Sequence, residues 1–154
     1  MQEWYRSRGL YEAVMKLVES GRMLEARKMA EGIPDEVIRS KALSQIALEA
    51  ARKGEDYGDF LSSAIEAALE IGKPGESTKA LMSLAFEFLN LGKPEEALKI
   101  ARYIKELPGR SKVEAEVALS LAREEKLSEA MEIINGIMDE DVKTWAMSRL
   151  ASQL

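Results

Sequence analysis

The acidic runs are the first places to look for chemistry. Asp139-Glu140-Asp141, Glu124-Glu125 and Glu95-Glu96 set carboxylates side by side, as a metal site or an acid–base pair would require. Consecutive residues do not share a helix face, however, and carboxylates gather where the positive end of a helix favours them. These runs therefore read as helix starts and turns. The chain has no histidine and no cysteine. That removes the commonest general base, the commonest metal ligands and every thiol nucleophile. A di-iron bundle would need Glu-x-x-His pairs, and the glycines do not form a phosphate-binding G-x-x-x-x-G-K-S/T run. The expectation is a protein that is not an enzyme and uses no cofactor and no metal.

A second pattern is basic and recurs: Arg6-Ser7-Arg8, Arg39-Ser40-Lys41, Ser77-Thr78-Lys79, Arg110-Ser111-Lys112 and Lys143-Thr144-Trp145. One cation per repeat, on one helix face, would form a ladder able to hold carboxylates by charge-assisted hydrogen bonds. The plainer reading is solvated charge, with i,i+4 pairs such as Asp35–Arg39 and Asp139–Lys143 contributing roughly 0.3 kcal/mol each.

What positions these residues is a repeated helical hairpin, seen most plainly in Ala80–Ile104, where two amphipathic stretches flank Gly92-Lys93-Pro94. Aligned on the turn, Gly21, Gly54, Gly92 and Glu125 occupy one column, spaced 33, 38 and 33 residues apart. Seven residues earlier stand Val14, Ala47, Ala85 and Ala118, and four earlier Leu17, Ala50, Phe88 and Leu121. After the turn, Ala26, Ala97 and Ala130 share a column, as do Ile33, Ile104 and Ile137. Offsets of three and four mark one apolar face of an α-helix. The second unit matches if Asp56–Phe60 is an insertion, which places Ala64, Ala68 and Ile71 in the same columns. The units run at about 8–34, 35–72, 75–107 and 109–138, and a further first helix follows at 140–153, giving nine helices in one repeat domain, 1–154. Pro34-Asp35, Pro74-Gly75, Pro108-Gly109 and Asp139 punctuate the units. Asp35, Asp139 and Ser128 are N-cap candidates, and Pro94 suits a first helical turn. One hairpin cannot bury its apolar face alone, whereas stacked hairpins share a continuous core.

The bulk numbers agree. Hydrophobic residues make up 46% of the 154, charged residues 32% and aromatics 6%, a mix that favours soluble helices over sheet. The net charge of −5 gives no general attraction to phosphates or anionic lipid. No apolar run is long enough to span a membrane, and Met1–Tyr5 has no basic start to a signal peptide. A cytoplasmic location is expected. Abundant Lys and Glu without Cys is compatible with a thermophilic source.

The large, large–small, large series of Leu81, Leu84-Ala85 and Phe88, then Gly92, then Ala97, Ala101 and Ile104, resembles the tetratricopeptide (TPR) repeat. The resemblance covers nearly the whole chain, in four units and a terminal helix. It departs at the missing closing proline, at Glu114 and Glu125 in the fourth unit and in the long second unit. It implies an all-α, right-handed superhelix whose first helices line a concave groove for a peptide or a partner's helix. Carried over by position, four columns would face that groove. They hold Arg8, Lys41, Lys79, Lys112 and Trp145; then Tyr11, Met82 and Met147; then Met15, Leu48, Phe86 and Leu119; and last Arg52, Asn90 and Arg123. The expected partner is an acidic or amphipathic protein segment. The asparagines of a carboxylate-clamping TPR are absent at the matching positions, where Met15 and Leu48 stand. An alternative is self-association, a homodimer through Trp145, Met147, Leu150 and Leu154 of the terminal helix. A third reading, RNA binding, is opposed by the acidic total and by few groove aromatics.

Overall fold

Alanine- and leucine-rich segments cut by turn glycines should fold as helices with one buried face, and they do. The computed structural model describes residues 2–154. Among these the regular structure is nine α-helices and no strand. They are α1 (Gln2–Glu19), α2 (Met23–Glu31), α3 (Glu36–Arg52), α4 (Gly58–Leu69), α5 (Pro74–Asn90), α6 (Pro94–Ala101), α7 (Leu107–Arg123), α8 (Leu127–Asn135) and α9 (Glu140–Gln153). Contacts cluster into two compact units, Met1–Ala80 and Leu81–Leu154, and the division falls within α5. In the first unit α1 packs on α2 and α3, α2 on α3, and α3 on α4. In the second, α7 packs on α6, α8 and α9, and α8 on α9.

The turn column is a conformational column. Gly21, Gly54 and Gly92 have φ of 79°, 73° and 78°, and Glu125 joins them at 64°. Each left-handed residue closes the same pair of hydrogen bonds. Arg22 N–H donates to Leu17 C=O, and Lys126 N–H to Leu121 C=O, while Gly21 and Glu125 N–H reach Val18 and Ala122. Gly54-Glu55 and Gly92-Lys93 repeat the arrangement. This is the Schellman ending of a helix, which satisfies two orphan carbonyls and reverses the chain. Glycine accepts that backbone without strain; glutamate does not.

Helices emerge from these turns with their apolar faces inward. Val14, Ala47, Ala85 and Ala118 are fully buried, as are Ala26, Ala97 and Ala130. Ile33, Ile71, Ile104 and Ile137 close the hairpins and are also buried. Alanine at these columns lets backbones approach closely, while Phe88, Ile46, Leu84 and Ile134 fill the remaining volume.

Some boundaries differ from the sequence expectation. Helix α1 begins at Gln2 rather than near residue 8. Pro108 sits inside the first turn of α7, where a missing N–H costs nothing, and Pro74 opens α5. The insertion is shorter as loop than expected, since α4 already starts at Gly58, whose N–H bonds Asp56 Oδ1 at 3.2 Å. Ser128 is not a cap. The residue at the cap of α8 is Lys126, and Ser128 lies within the helix. Asp35 and Asp139 do cap, accepting from Ile38 N–H at 2.9 Å and Val142 N–H at 3.0 Å.

Candidate functional site

The basic triplets divide into two jobs. Their outer cations Arg8, Lys41, Lys79 and Lys112 are exposed. Their central serines Ser7, Ser40 and Ser111 are the buried polar residues of the core. Ser7 Oγ accepts the N–H of Asp35 at 2.9 Å, and Ser111 Oγ accepts that of Asp139 at 3.3 Å, each across 28 residues. The acceptor stands on the first helix of one hairpin. The donor is the N-cap residue of the helix after next, α3 for Ser7 and α9 for Ser111, so each serine ties the first helix of a hairpin to the start of the helix that follows that hairpin. Ser77 does related work, donating from α5 to Ala68 C=O of α4 at 2.7 Å. Sequence reading missed this role. The available signal was a small hydroxyl at the same register in every triplet.

Arg39 is also structural. Its Nε donates to Ile33 C=O at 2.9 Å and its Nη2 to Pro34 C=O at 3.1 Å, while Nη1 lies 3.7 Å from Glu70. The ion pairs expected at Asp35–Arg39 and Asp139–Lys143 are not formed. Both aspartates turn to their own helix N-termini instead. Asp139-Glu140-Asp141 is thus a cap and a first turn, and no group of three potential metal ligands comes together among the described residues.

In the first unit the outer cations meet aromatic rings. Lys41 Nζ of α3 lies 5.5 Å from the ring centroid of Tyr11 on α1. One helical turn back, Arg8 lies 5.5 Å from the Trp4 ring, which meets Tyr5 edge-on at 5.1 Å. Burial raises the Tyr11 hydroxyl pKa, partly opposed by Arg8. Trp4, Tyr5, Arg8 and Lys41 are exposed and Tyr11 is half-buried. A cation over a ring is attracted by the ring quadrupole, and a guanidinium stacked this way still presents its N–H edge to a carboxylate. Among the described residues, Arg8, Lys41 and Lys79 have no carboxylate partner. The predicted neighbours Arg8, Tyr11 and Lys41 are thus brought together, and Trp4 and Tyr5 extend the patch.

The apolar column behaves differently. Leu48 and Leu119 are only 1% and 2% exposed, so they are core residues and line no open groove. Met15 and Phe86 are half-buried, as is Met82. Met15, Leu48, Phe86 and Leu119 stand at one register on four different helices, so the difference reflects what packs against each helix and not the helix period. Arg52 is exposed and reaches Glu49 at 3.4 Å. In the second unit Asn90, Lys112 and Arg123 are exposed. Trp145 is exposed with Arg149 5.8 Å from its ring.

The second unit also has a cleft of about 360 Å³ lined by Glu95, Leu98, Arg102, Glu114, Glu129 and Ile133. Glu114 of α7 stands where Leu43 and Leu81 stand in other units, and it is half-buried. Burial pushes its pKa up, against the nearby guanidinium of Arg110 at 3.6 Å and the charge of Arg102.

No family model matches the chain, and no curated protein matches it. Among solved structures it is similar to that of a Podospora anserina protein assigned to the kinesin light chains, a single-substitution form with nearly identical TPR-like repeats. That likeness has 17% identity and a TM-score of 0.43, over 90% of this chain and 76% of that one. The chain's own geometry gives the class: an all-α protein of TPR-like helical hairpins, with left-handed turn residues and small–large columns in register. No described helix is long and apolar enough to cross a membrane.

Proposed function

We propose that the protein is a non-enzymatic interaction module that docks an acidic or amphipathic segment of another protein on the α1–α3 face of its first unit. The observation that carries this is the cluster of Trp4, Arg8, Tyr11 and Lys41. It offers cations without carboxylate partners beside exposed ring surface. Aromatic and arginine side chains supply most of the energy at protein interfaces. A carboxylate would take the free N–H groups of Arg8 and Lys41, and an apolar neighbour would cover Trp4 and Tyr11. Lys79, also exposed on the first unit, adds long-range attraction for an acidic partner.

The test is selection of displayed random peptides on the immobilised protein. The expected result is enrichment of segments pairing Asp or Glu with a large apolar residue, which are lost on Lys41→Glu. Enrichment of neutral or basic peptides, or binding indifferent to Lys41→Glu, would overturn the reading. A labelled single-stranded RNA in the same assay checks the nucleic-acid alternative; saturable RNA binding at physiological salt would favour it.

A further inference from the structure

The cleft of about 360 Å³ between α6, α7 and α8 has a counterpart at the same register of the first unit. That counterpart, about 290 Å³, is lined by Glu31, Arg39, Leu43, Ser63, Glu66 and Glu70. The repeat columns match these residues to Arg102, Arg110, Glu114, Glu129, Glu132 and Gly136. In the first unit the cleft is satisfied from within. Its one cation, Arg39, is held by the carbonyls of Ile33 and Pro34 and faces Glu70 at 3.7 Å, and Leu43 is buried.

The second unit differs at three of these places. Glu114 stands for Leu43, Glu129 for Ser63, and Gly136 for Glu70. Four carboxylates, Glu95, Glu114, Glu129 and Glu132, then line the cleft against the single guanidinium of Arg102. Among the described residues, Glu95, Glu129 and Glu132 have no cationic partner. Glu114 pairs with Arg110 at 3.6 Å, but Arg110 is 38% exposed, and a loose, screened pair of this kind exchanges readily for a better one. The Glu114 side chain is itself only 19% exposed, so the fold keeps a carboxylate where another unit has a buried leucine. A departure of this kind from the packing pattern, at a cleft, marks a functional position.

The lining also limits what fits. No three of these acids come close enough together to hold a metal ion among the described residues, so one point cation cannot satisfy them. They stand on three helices, and Leu98, Leu121 and Ile133 supply apolar wall between them. A ligand that meets this surface carries separated positive charges on an alkyl chain. The volume lies at the lower end of the range for small-molecule sites, roughly 300–1,000 Å³.

We infer that the α6–α8 cleft binds a linear aliphatic polyamine, its ammonium groups on Glu114, Glu129 and Glu132 and its methylenes against Leu98 and Ile133. The cleft lies in the second unit and the α1–α3 patch in the first, so failure of either proposal leaves the other standing.

Isothermal titration of the whole chain with spermidine at low ionic strength tests it. The expected result is saturable one-to-one binding, weakened by about tenfold or more in Glu114→Gln and in Glu129→Gln. Glu114→Leu should lose the binding while unfolding at no lower a temperature than the parent, which separates a lost site from a lost fold. Glu66→Gln, the register counterpart of Glu132 in the first-unit cleft, should bind as the parent does. Absence of saturable binding overturns the inference, as does undiminished binding by Glu114→Leu. Equal weakening by Glu66→Gln would mean a diffuse acidic field, and equal affinity for n-butylamine or magnesium ion would mean a single-charge site; either refutes the polyamine. A lysine-bearing peptide that binds through Glu114 when spermidine does not would make the occupant a protein segment, and refutes it too.

Discussion

Replacing Glu125 by glycine should make the protein more stable, although it deletes a side chain. At φ 64° Glu125 is the one non-glycine left-handed residue among those described. Holding an L-residue there costs roughly 1–2 kcal/mol through the crowding of its Cβ. Glycine removes that cost and adds about 0.5–1 kcal/mol of extra unfolded-chain entropy to be lost on folding. The side chain is exposed, so little packing is lost. The net is a gain of about 0.5–1 kcal/mol. The complementary variant is Gly92→Ala. Nothing lies within 4 Å of the Cβ it would add, so any loss must come from the backbone at φ 78° rather than from a clash. Its cost should match the gain at Glu125 in size and oppose it in sign. For a chain of this length about 1 kcal/mol is a shift of about 2–4 °C. Thermal unfolding followed by far-ultraviolet circular dichroism reads both. A fall in Tm for Glu125→Gly, or no loss for Gly92→Ala, would refute the view that one left-handed turn, strained for any residue but glycine, recurs in all four hairpins.

Three further outcomes follow from the packing. Ser111→Ala and Ser7→Ala should each cost about 1–3 kcal/mol in urea unfolding, because a partly buried backbone N–H loses its acceptor; variants as stable as the parent would show that the ties are incidental. Ala85→Leu should cost about 1–3 kcal/mol by overpacking a fully buried alanine column, and an unchanged Tm would contradict that placement. Glu114→Leu should stabilise the protein near neutral pH by about 1 kcal/mol, with the side chain's residual exposure already discounted. The sign follows from the raised carboxyl pKa. Folding favours the neutral acid, so the parent's stability improves as pH falls from above the raised folded pKa toward the ordinary glutamate value. The advantage of leucine is therefore largest above that window and shrinks through it. An advantage constant across that range would refute the burial-driven shift.

Much of the fold was legible because helix period and turn chemistry are local. Glu125 fell into the glycine column by spacing alone, and the structure puts it in the glycine conformation. Pro94 and the two capping aspartates were readable for the same reason. Helix starts were less so: Ser128 is a good cap type, but the Schellman turn at Glu125 sets the chain's exit two residues earlier and leaves it inside α8. The site was only half legible. Arg8, Tyr11 and Lys41 lie on one face by register, yet the contact of Lys41 with Tyr11 depends on how α3 meets α1. The burial of Leu48 and Leu119 likewise depends on neighbouring helices. A serine between two cations looked like part of a charged surface, because its partner lies 28 residues away.

The central claim is that cations and rings on the α1–α3 face recognise an acidic partner segment. The most direct measurement is the affinity of a selected acidic peptide for the parent and for Arg8→Glu/Lys41→Glu, by fluorescence anisotropy at low and high salt. The expected result is a complex weaker by about tenfold or more for the double variant and a shallower salt dependence, reflecting two lost charge contacts. Equal affinity and equal salt slope, with both proteins folded, would contradict the account.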